Sequence, residues 1–291
     1  MPTVQANGIE LCYETVGTGE PLLLVHGLGG QLTDWRKELI QLIADRGFAV
    51  THFDNRDVGY STKFDDAPAP DVGAILSGDT SSAPYRLADL AADAIGLIEA
   101  LDLGPVHAVG VSMGGMIVQQ LTIDRPDLVR SVCSIMSTTG DPSVGGPSAE
   151  ALEVLMAPPP TERAAYLDHQ VRVWKVIGSP GFPFDEAEVR RRAGASFDRC
   201  FCPAGTARQL AGIMASPDRT AALGEIRVPA LVIHGEDDAL INVSGGRATA
   251  AAIPGARSML IPGMGHELPP GAWTQVVDAM AANAARATAP G

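Results

Sequence analysis

Three side chains far apart in the sequence could together carry out acyl transfer. Ser112 sits in Gly110-Val111-Ser112-Met113-Gly114, a G-x-S-x-G directly behind the apolar run Val106-His107-Ala108-Val109. A strand that runs through a glycine-flanked serine into a helix holds that serine in a sharp, strained turn, because small neighbours let the chain double back without a clash. A serine hydroxyl is a weak nucleophile at neutral pH and needs an adjacent base. His266, in Gly263-Met264-Gly265-His266-Glu267, can take the proton and return it to a leaving group. Asp238, in His234-Gly235-Glu236-Asp237-Asp238, can fix the tautomer of that imidazole and stabilise the imidazolium. Both follow strand-like runs, Ala230-Leu231-Val232-Ile233 and Ser258-Met259-Leu260-Ile261.

Asp237 is the immediate neighbour of Asp238; a G-x-x-D counted from Gly235 favours Asp238. Asp141, in the loop after the strand-like residues 128–136, is a further candidate acid, and Glu267 beside the base reads as solvated or structural. A tetrahedral intermediate also needs hydrogen-bond donors for its negative oxygen. His26-Gly27-Leu28-Gly29-Gly30 follows the apolar Pro21-Leu22-Leu23-Leu24-Val25, and the backbone N–H groups of Leu28 and Met113 are the expected donors. The same glycines would suit a flexible loop or a phosphate cradle. No Walker lysine follows them, however, and they do not form G-x-G-x-x-G.

His26 reads as a structural imidazole, and His52, His107, His169 and His234 have no evident partners in the sequence. No metal-ligand spacing is visible. Cys200-x-Cys202 lacks a second pair, and Cys12 and Cys133 complete a scatter that reads as reduced structural thiols. The expectation is a site with no metal and no cofactor. Trp35, Trp174 and Met264 are candidate pocket residues whose apolar walls would suit an uncharged acyl or alkyl group, although each also reads as ordinary core.

Around these residues, short apolar strands alternate with helical patterns. Residues 3–6 and 9–15 flank Asn7-Gly8 as a hairpin; 21–25, 48–53 and 106–109 read as further strands. Helical patterns cover 34–45, 87–101 and 113–123, the last stopping before Pro126. The alternation predicts an α/β fold with a mostly parallel, doubly wound sheet and a small antiparallel start. Residues 137–224 contain no clear strand, three Pro/Gly clusters and helical patterns over 161–176 and 185–197. They are expected to form a mostly helical cap inserted into a core of residues 1–136 and 225–291, the alternative being a second independent domain. Residues 63–84 read as an irregular excursion or a mobile loop near the pocket mouth.

At 291 residues the chain suits one large domain with such an insertion. Its net charge of −13 repels a phosphate backbone, which argues against nucleic-acid partners. The N-terminus lacks a basic start and a long apolar stretch, and no apolar run is long enough to cross a bilayer, so a cytoplasmic protein without membrane contact is expected. A small-molecule ester is the expected partner, and a homodimer remains an open assembly.

Taken with their order, His26-Gly27-x-Gly29-Gly30, Asp54-x-Arg56-x-x-Gly59-x-Ser61, Gly110-x-Ser112-x-Gly114-Gly115, Gly235-x-x-Asp238 and Gly263-x-Gly265-His266 resemble the capped α/β-hydrolases of the esterase, haloperoxidase-like and C–C hydrolase superfamily. Arg56-Asp57-Val58-Gly59 departs from the commoner Arg-Gly-x-Gly. That departure and the run from Ile261 to Pro269 are similar to actinobacterial esterases of the aclacinomycin methylesterase type. The resemblance implies a serine esterase with Ser112, Asp238 and His266 as its triad and with Asp54 and Arg56 in a structural turn; it does not carry substrate identity. Perhydrolysis, thioester hydrolysis and C–C hydrolysis by the same triad are the enzymatic alternatives. A ligand receptor of the same fold is the non-enzymatic one.

Overall fold

The computed structural model describes residues 1–287. Eight strands form one sheet: β1 (Thr3–Ala6), β2 (Ile9–Val16), β3 (Glu20–Val25), β4 (Phe48–Phe53), β5 (Val106–Val111), β6 (Val129–Ile135), β7 (Ala230–Gly235) and β8 (Arg257–Ile261). Their order is β1-β2-β4-β3-β5-β6-β7-β8. The pairs β1–β2 and β2–β4 are antiparallel, and every later pair is parallel. Asn7 (φ 49°) and Gly8 (φ 76°) turn the first hairpin, the positive dihedrals its two-residue loop requires.

Eleven α-helices are assigned among the described residues: α1 (Lys37–Ala44), α2 (Val72–Leu76), α3 (Leu87–Ala100), α4 (Met113–Asp124), α5 (Ala149–Met156), α6 (Arg163–Ile177), α7 (Glu186–Arg199), α8 (Pro203–Met214), α9 (Thr220–Leu223), α10 (Val243–Ala252) and α11 (Trp273–Ala285). Side chains alternate across the sheet and feed two cores. Leu23 and Val25 face one core with α3 and α4; Leu22 and Leu24 face the other with α1 and α11. Burying each such leucine or valine stabilises the fold by roughly 1.5–3 kcal/mol. Parallel strands covered on both faces explain why β3 reads as a continuous apolar run rather than an alternating one.

Two sequence expectations change. The helical pattern at 34–45 splits into a 3₁₀ turn, Leu32–Asp34, and α1, because Trp35 and Arg36 are extended. Within the irregular 63–84 stretch lies α2, capped by the Asp71 side chain accepting from the Ala74 N–H at 2.9 Å. Five residues are too few for a helical period to show in the sequence. Between β6 and β7 run α5 to α9, with no strand among them.

Candidate active site

Ser112 joins β5 to α4 with φ 55° and ψ −121°, a positive φ that costs a serine about 1–3 kcal/mol. The surroundings hold it there. Its N–H donates to Ile135 O at 2.9 Å, and its carbonyl accepts from Ser137 Oγ at 2.9 Å. A Cβ on Gly110 would sit 2.1 Å from Gly114 O, and one on Gly114 would sit 2.1 Å from Val25 O. Only glycine permits this closeness, which is why the motif carries them.

His266 Nε2 lies 2.9 Å from Ser112 Oγ, and His266 Nδ1 lies 2.8 Å from Asp238 Oδ2. An ionised carboxylate only accepts, so the Nδ1 proton points at Asp238 and leaves Nε2 free to receive the serine proton. Asp238 is buried at the end of β7, and its Oδ1 accepts the N–H groups of Leu240 and Ile241, both at 2.9 Å. Burial pushes the Asp238 carboxyl up. The facing His266, with its hydrogen bond and that of the Ile241 N–H and with His234 close by, outweighs burial and holds it well below the usual carboxylate range.

Asp237 turns elsewhere. Its Oδ2 accepts the Gly263 N–H at 2.8 Å and so ties the acid loop to the histidine loop. Asp141 is used within its own turn, accepting from the Ser143 N–H at 2.8 Å and from the Ser143 hydroxyl at 2.7 Å. His234, which showed no partner in the sequence, donates through Nε2 to Ile241 O at 2.7 Å and stands 3.4 Å from Asp238 Oδ2. No local pattern marks that role, because it depends on how the loop after β7 curls back.

The loop after β3 closes against the elbow: a Cβ on Gly27 would lie 3.1 Å from Ser112 Cβ. It wraps the His26 ring, whose Nδ1 accepts the Gly27 N–H at 2.8 Å. Burial pushes the His26 imidazole down, and Nδ1 as acceptor fits the neutral ring. Among the described residues nothing accepts the N–H of Leu28. The Met113 N–H, first in α4, has no acceptor within the helix.

Residues 20–174, more than half of the chain, match the family model described as alpha/beta hydrolase fold. The chain belongs to that family. At 29% identity over 296 residues, covering 92% of this chain and 93% of the relative, it is similar to rhodomycin D methylesterase DauP of Streptomyces sp. (strain C5). At 27% identity over 281 residues, covering 91% and 93%, it is similar to a non-heme haloperoxidase of Rhodococcus erythropolis. In structure it is similar to a thermophilic esterase from Thermogutta terrifontis, with a TM-score of 0.72, 22% identity and 99% of both chains covered. The protein is thus a hydrolase of the α/β-hydrolase fold with methylester-cleaving and haloperoxidase-like relatives.

The helices between β6 and β7 grip this hydrolase's site loops from two sides. At the end of α6, Ile177 O accepts the His266 N–H at 2.7 Å and Ser179 Oγ accepts the Gly265 N–H at 3.0 Å. Glu267, far from idle, accepts the Ser179 N–H at 2.9 Å. On the other side, Gln31 Nε2 donates to Ser196 O and Cys200 O, both at 2.8 Å. Arg199 donates to Gln31 Oε1 and to Asp54 Oδ2, both at 2.7 Å, and Asp54 Oδ1 accepts the Leu32 N–H at 2.7 Å.

Two of the three expected pocket residues belong to a buried core cluster. Trp35 and Met264 are buried in the core between the sheet, α1 and α11, where Trp35 packs edge-on against His26 at 4.7 Å. Residues beside a site residue in sequence point away from it as the chain turns, and these fill the core instead. Trp174 is half-buried on α6, with the Arg192 guanidinium 5.6 Å from its ring. A small apolar cavity of about 30 Å³ is lined by Ala151, Val154, Leu155, Val173, Ile177 and Leu240. Leu240 places it against the acid loop.

The commoner glycine of Arg-Gly-x-Gly is here Asp57 with φ 72°. An aspartate tolerates that conformation when its side chain is used. Asp57 accepts from Arg208 at 2.7 and 2.9 Å, from Tyr85 Oη at 2.6 Å and from the Phe64 N–H at 2.9 Å. Asp54 and Arg56 likewise hold structure, Asp54 through Arg199 and Arg56 through Asp93 at 2.6 Å.

Proposed function

We propose that this hydrolase cleaves carboxylic esters of small to medium uncharged substrates through an acyl-enzyme on Ser112. The observation that carries the reading is the relay from Ser112 Oγ to His266 Nε2 at 2.9 Å and from His266 Nδ1 to Asp238 Oδ2 at 2.8 Å. Ser112 attacks the ester carbonyl while His266 takes its proton. The N–H groups of Leu28 and Met113 receive the developing oxyanion. His266 returns the proton to the departing alcohol, then activates the water that deacylates the serine. In this reading residues 137–224 act as the cap over the triad.

The test is hydrolysis of p-nitrophenyl esters of increasing acyl length by the wild type and by Ser112→Ala. Removing a triad serine costs about 10⁶-fold in kcat in a comparable hydrolase, so turnover should vanish in the variant. Equal turnover in both would remove Ser112 from the reaction. The likeness to a haloperoxidase supports a second reading, in which peroxide replaces water at deacylation. Peracid formation from acetate and peroxide above the Ser112→Ala background would support it.

A further inference from the structure

We infer that Gln209 is a positioning residue for the oxyanion-binding loop, setting the Leu28 N–H from a helix outside the hydrolase core. This rests on the serine-hydrolase reading above and adds to it a residue that touches neither Ser112 nor His266. Gln209 is fully buried in α8. Its Oε1 accepts the Gly29 N–H at 2.8 Å, and its Nε2 donates to Arg56 O at 2.7 Å. The partners fix the amide's orientation, since a backbone N–H needs the oxygen and a carbonyl needs the nitrogen. One side chain thereby joins the loop after β3 to the loop after β4.

The bond reaches the loop one residue beyond Leu28, at a position whose conformation is unusual. Gly29 has φ 68°, and a Cβ there would meet Thr206 Oγ1 of α8 at 3.0 Å. The Gly27 N–H is held by His26 and the Gly30 N–H by Gly27 O, so Gln209 supplies the anchor the glycine turn still lacks. Leu28 is suspended between anchored neighbours with its own N–H left over. The register of α8 is pinned next door, where Arg208 binds Asp57 and a Cβ on Gly205 would lie 2.1 Å from Asp57 O. Arg208 fixes where the helix sits; Gln209 transmits that position to the loop.

A donor displaced by about 1 Å can cost on the order of 100-fold in rate. The substitution Gln209→Met keeps the side-chain length and removes both bonds. It is expected to lower kcat about 10- to 100-fold with KM changed less than about twofold, the pattern of an interaction made only in the transition state. The rate is taken per active site, counted by titration of Ser112 with a p-nitrophenyl phosphonate. Inhibition by a trifluoromethyl ketone, whose adduct carries the oxyanion, should weaken by the same factor as kcat/KM. Gln209→Glu keeps an acceptor for Gly29 and should recover most of the rate per site. Arg208→Gln, which loosens the seat of α8 on Asp57, should lower thermal stability and, through Gln209, lower the rate per site less than Gln209→Met does.

A Gln209→Met enzyme with wild-type rate per titrated site overturns the inference. So does a Gln209→Glu enzyme as slow as Gln209→Met, and if Gln209→Met gives no titratable protein, the Gln209→Glu rate and inhibition decide alone. Turnover that survives Ser112→Ala would instead remove the serine-hydrolase reading itself.

Discussion

The two halves of the candidate site are held by different physics. The elbow, where Ser112 sits, is fixed largely by backbone: glycines at 110 and 114 allow contacts that any Cβ would break, and Ile135 O at the end of β6 accepts the Ser112 N–H while Ser137 Oγ donates to its carbonyl. The rim formed by residues 26–34 and 54–57 is fixed by side chains reaching from α7 and α8, namely the buried Gln209 and Arg208 and the half-buried Arg199. Backbone geometry fails by overcrowding, whereas a side-chain rim fails when a single polar partner is removed and its mate is left buried. The site therefore has two distinct weaknesses, one steric and one electrostatic.

The largest effect expected from breaking this arrangement lies on the acid loop. Asp238→Asn should lower kcat by about 10⁴-fold, because an amide misassigns the tautomer of His266. Asp237→Asn, which keeps a side-chain oxygen to accept the Gly263 N–H, should stay within about threefold of wild type. Steady-state rates on one p-nitrophenyl ester compare the two directly. The reverse ranking would exchange the roles of the two carboxylates.

Next comes the electrostatic half. Arg199→Met leaves the buried Asp54 carboxylate without its guanidinium and should destabilise the protein by about 3–5 kcal/mol in urea unfolding. The steric half should yield less. Gly114→Ala forces a methyl to within 2.1 Å of Val25 O and should cost about 1–3 kcal/mol, with a fall in rate as the elbow shifts. If Gly114→Ala proved milder in rate than Arg199→Met at equal folded fraction, the elbow would be the softer half.

Smaller still is the clasp at the end of α6. Glu267→Gln keeps an acceptor for the Ser179 N–H but loses its charge, and should cost about 1 kcal/mol in the same unfolding assay. A pH dependence comes from β4. His52 is buried, neither ring nitrogen has a hydrogen-bond partner among the described residues, and burial pushes its imidazole down despite the nearby Glu14. The unfolded chain takes up that proton near pH 6.5 while the folded one resists it. Stability from this residue is thus complete above about pH 6.5 and lost as the pH falls toward the depressed folded value. The melting temperature should drop between pH 7 and 5, and His52→Leu should flatten that slope.

Legibility in the sequence followed the same division. The strands, the elbow and the loop glycines were readable because each is a local requirement: a positive φ, a close approach, an apolar run. The choice between Asp237 and Asp238 rested on spacing from Gly235 alone, and the loop after β7 sends the two carboxylates to different partners. Trp35 and Met264 read equally as pocket wall or core in the sequence, since proximity to a site in sequence says nothing of side-chain direction, and both join a buried core cluster. His234, Glu267 and Gln209 carry no local pattern that marks their partners.

The sequence by itself determined the chemistry on offer, an order of serine, acid and base each placed after a strand, because strand ends and glycine turns are encoded within a few residues. Tertiary structure alone decided which groups steady that chemistry. Gln209 meets Gly29 across 180 residues and Arg199 meets Asp54 across 145. Such pairings depend on how each helix is rotated and seated by its packing, and that is a property of the assembled cores rather than of any local stretch of chain.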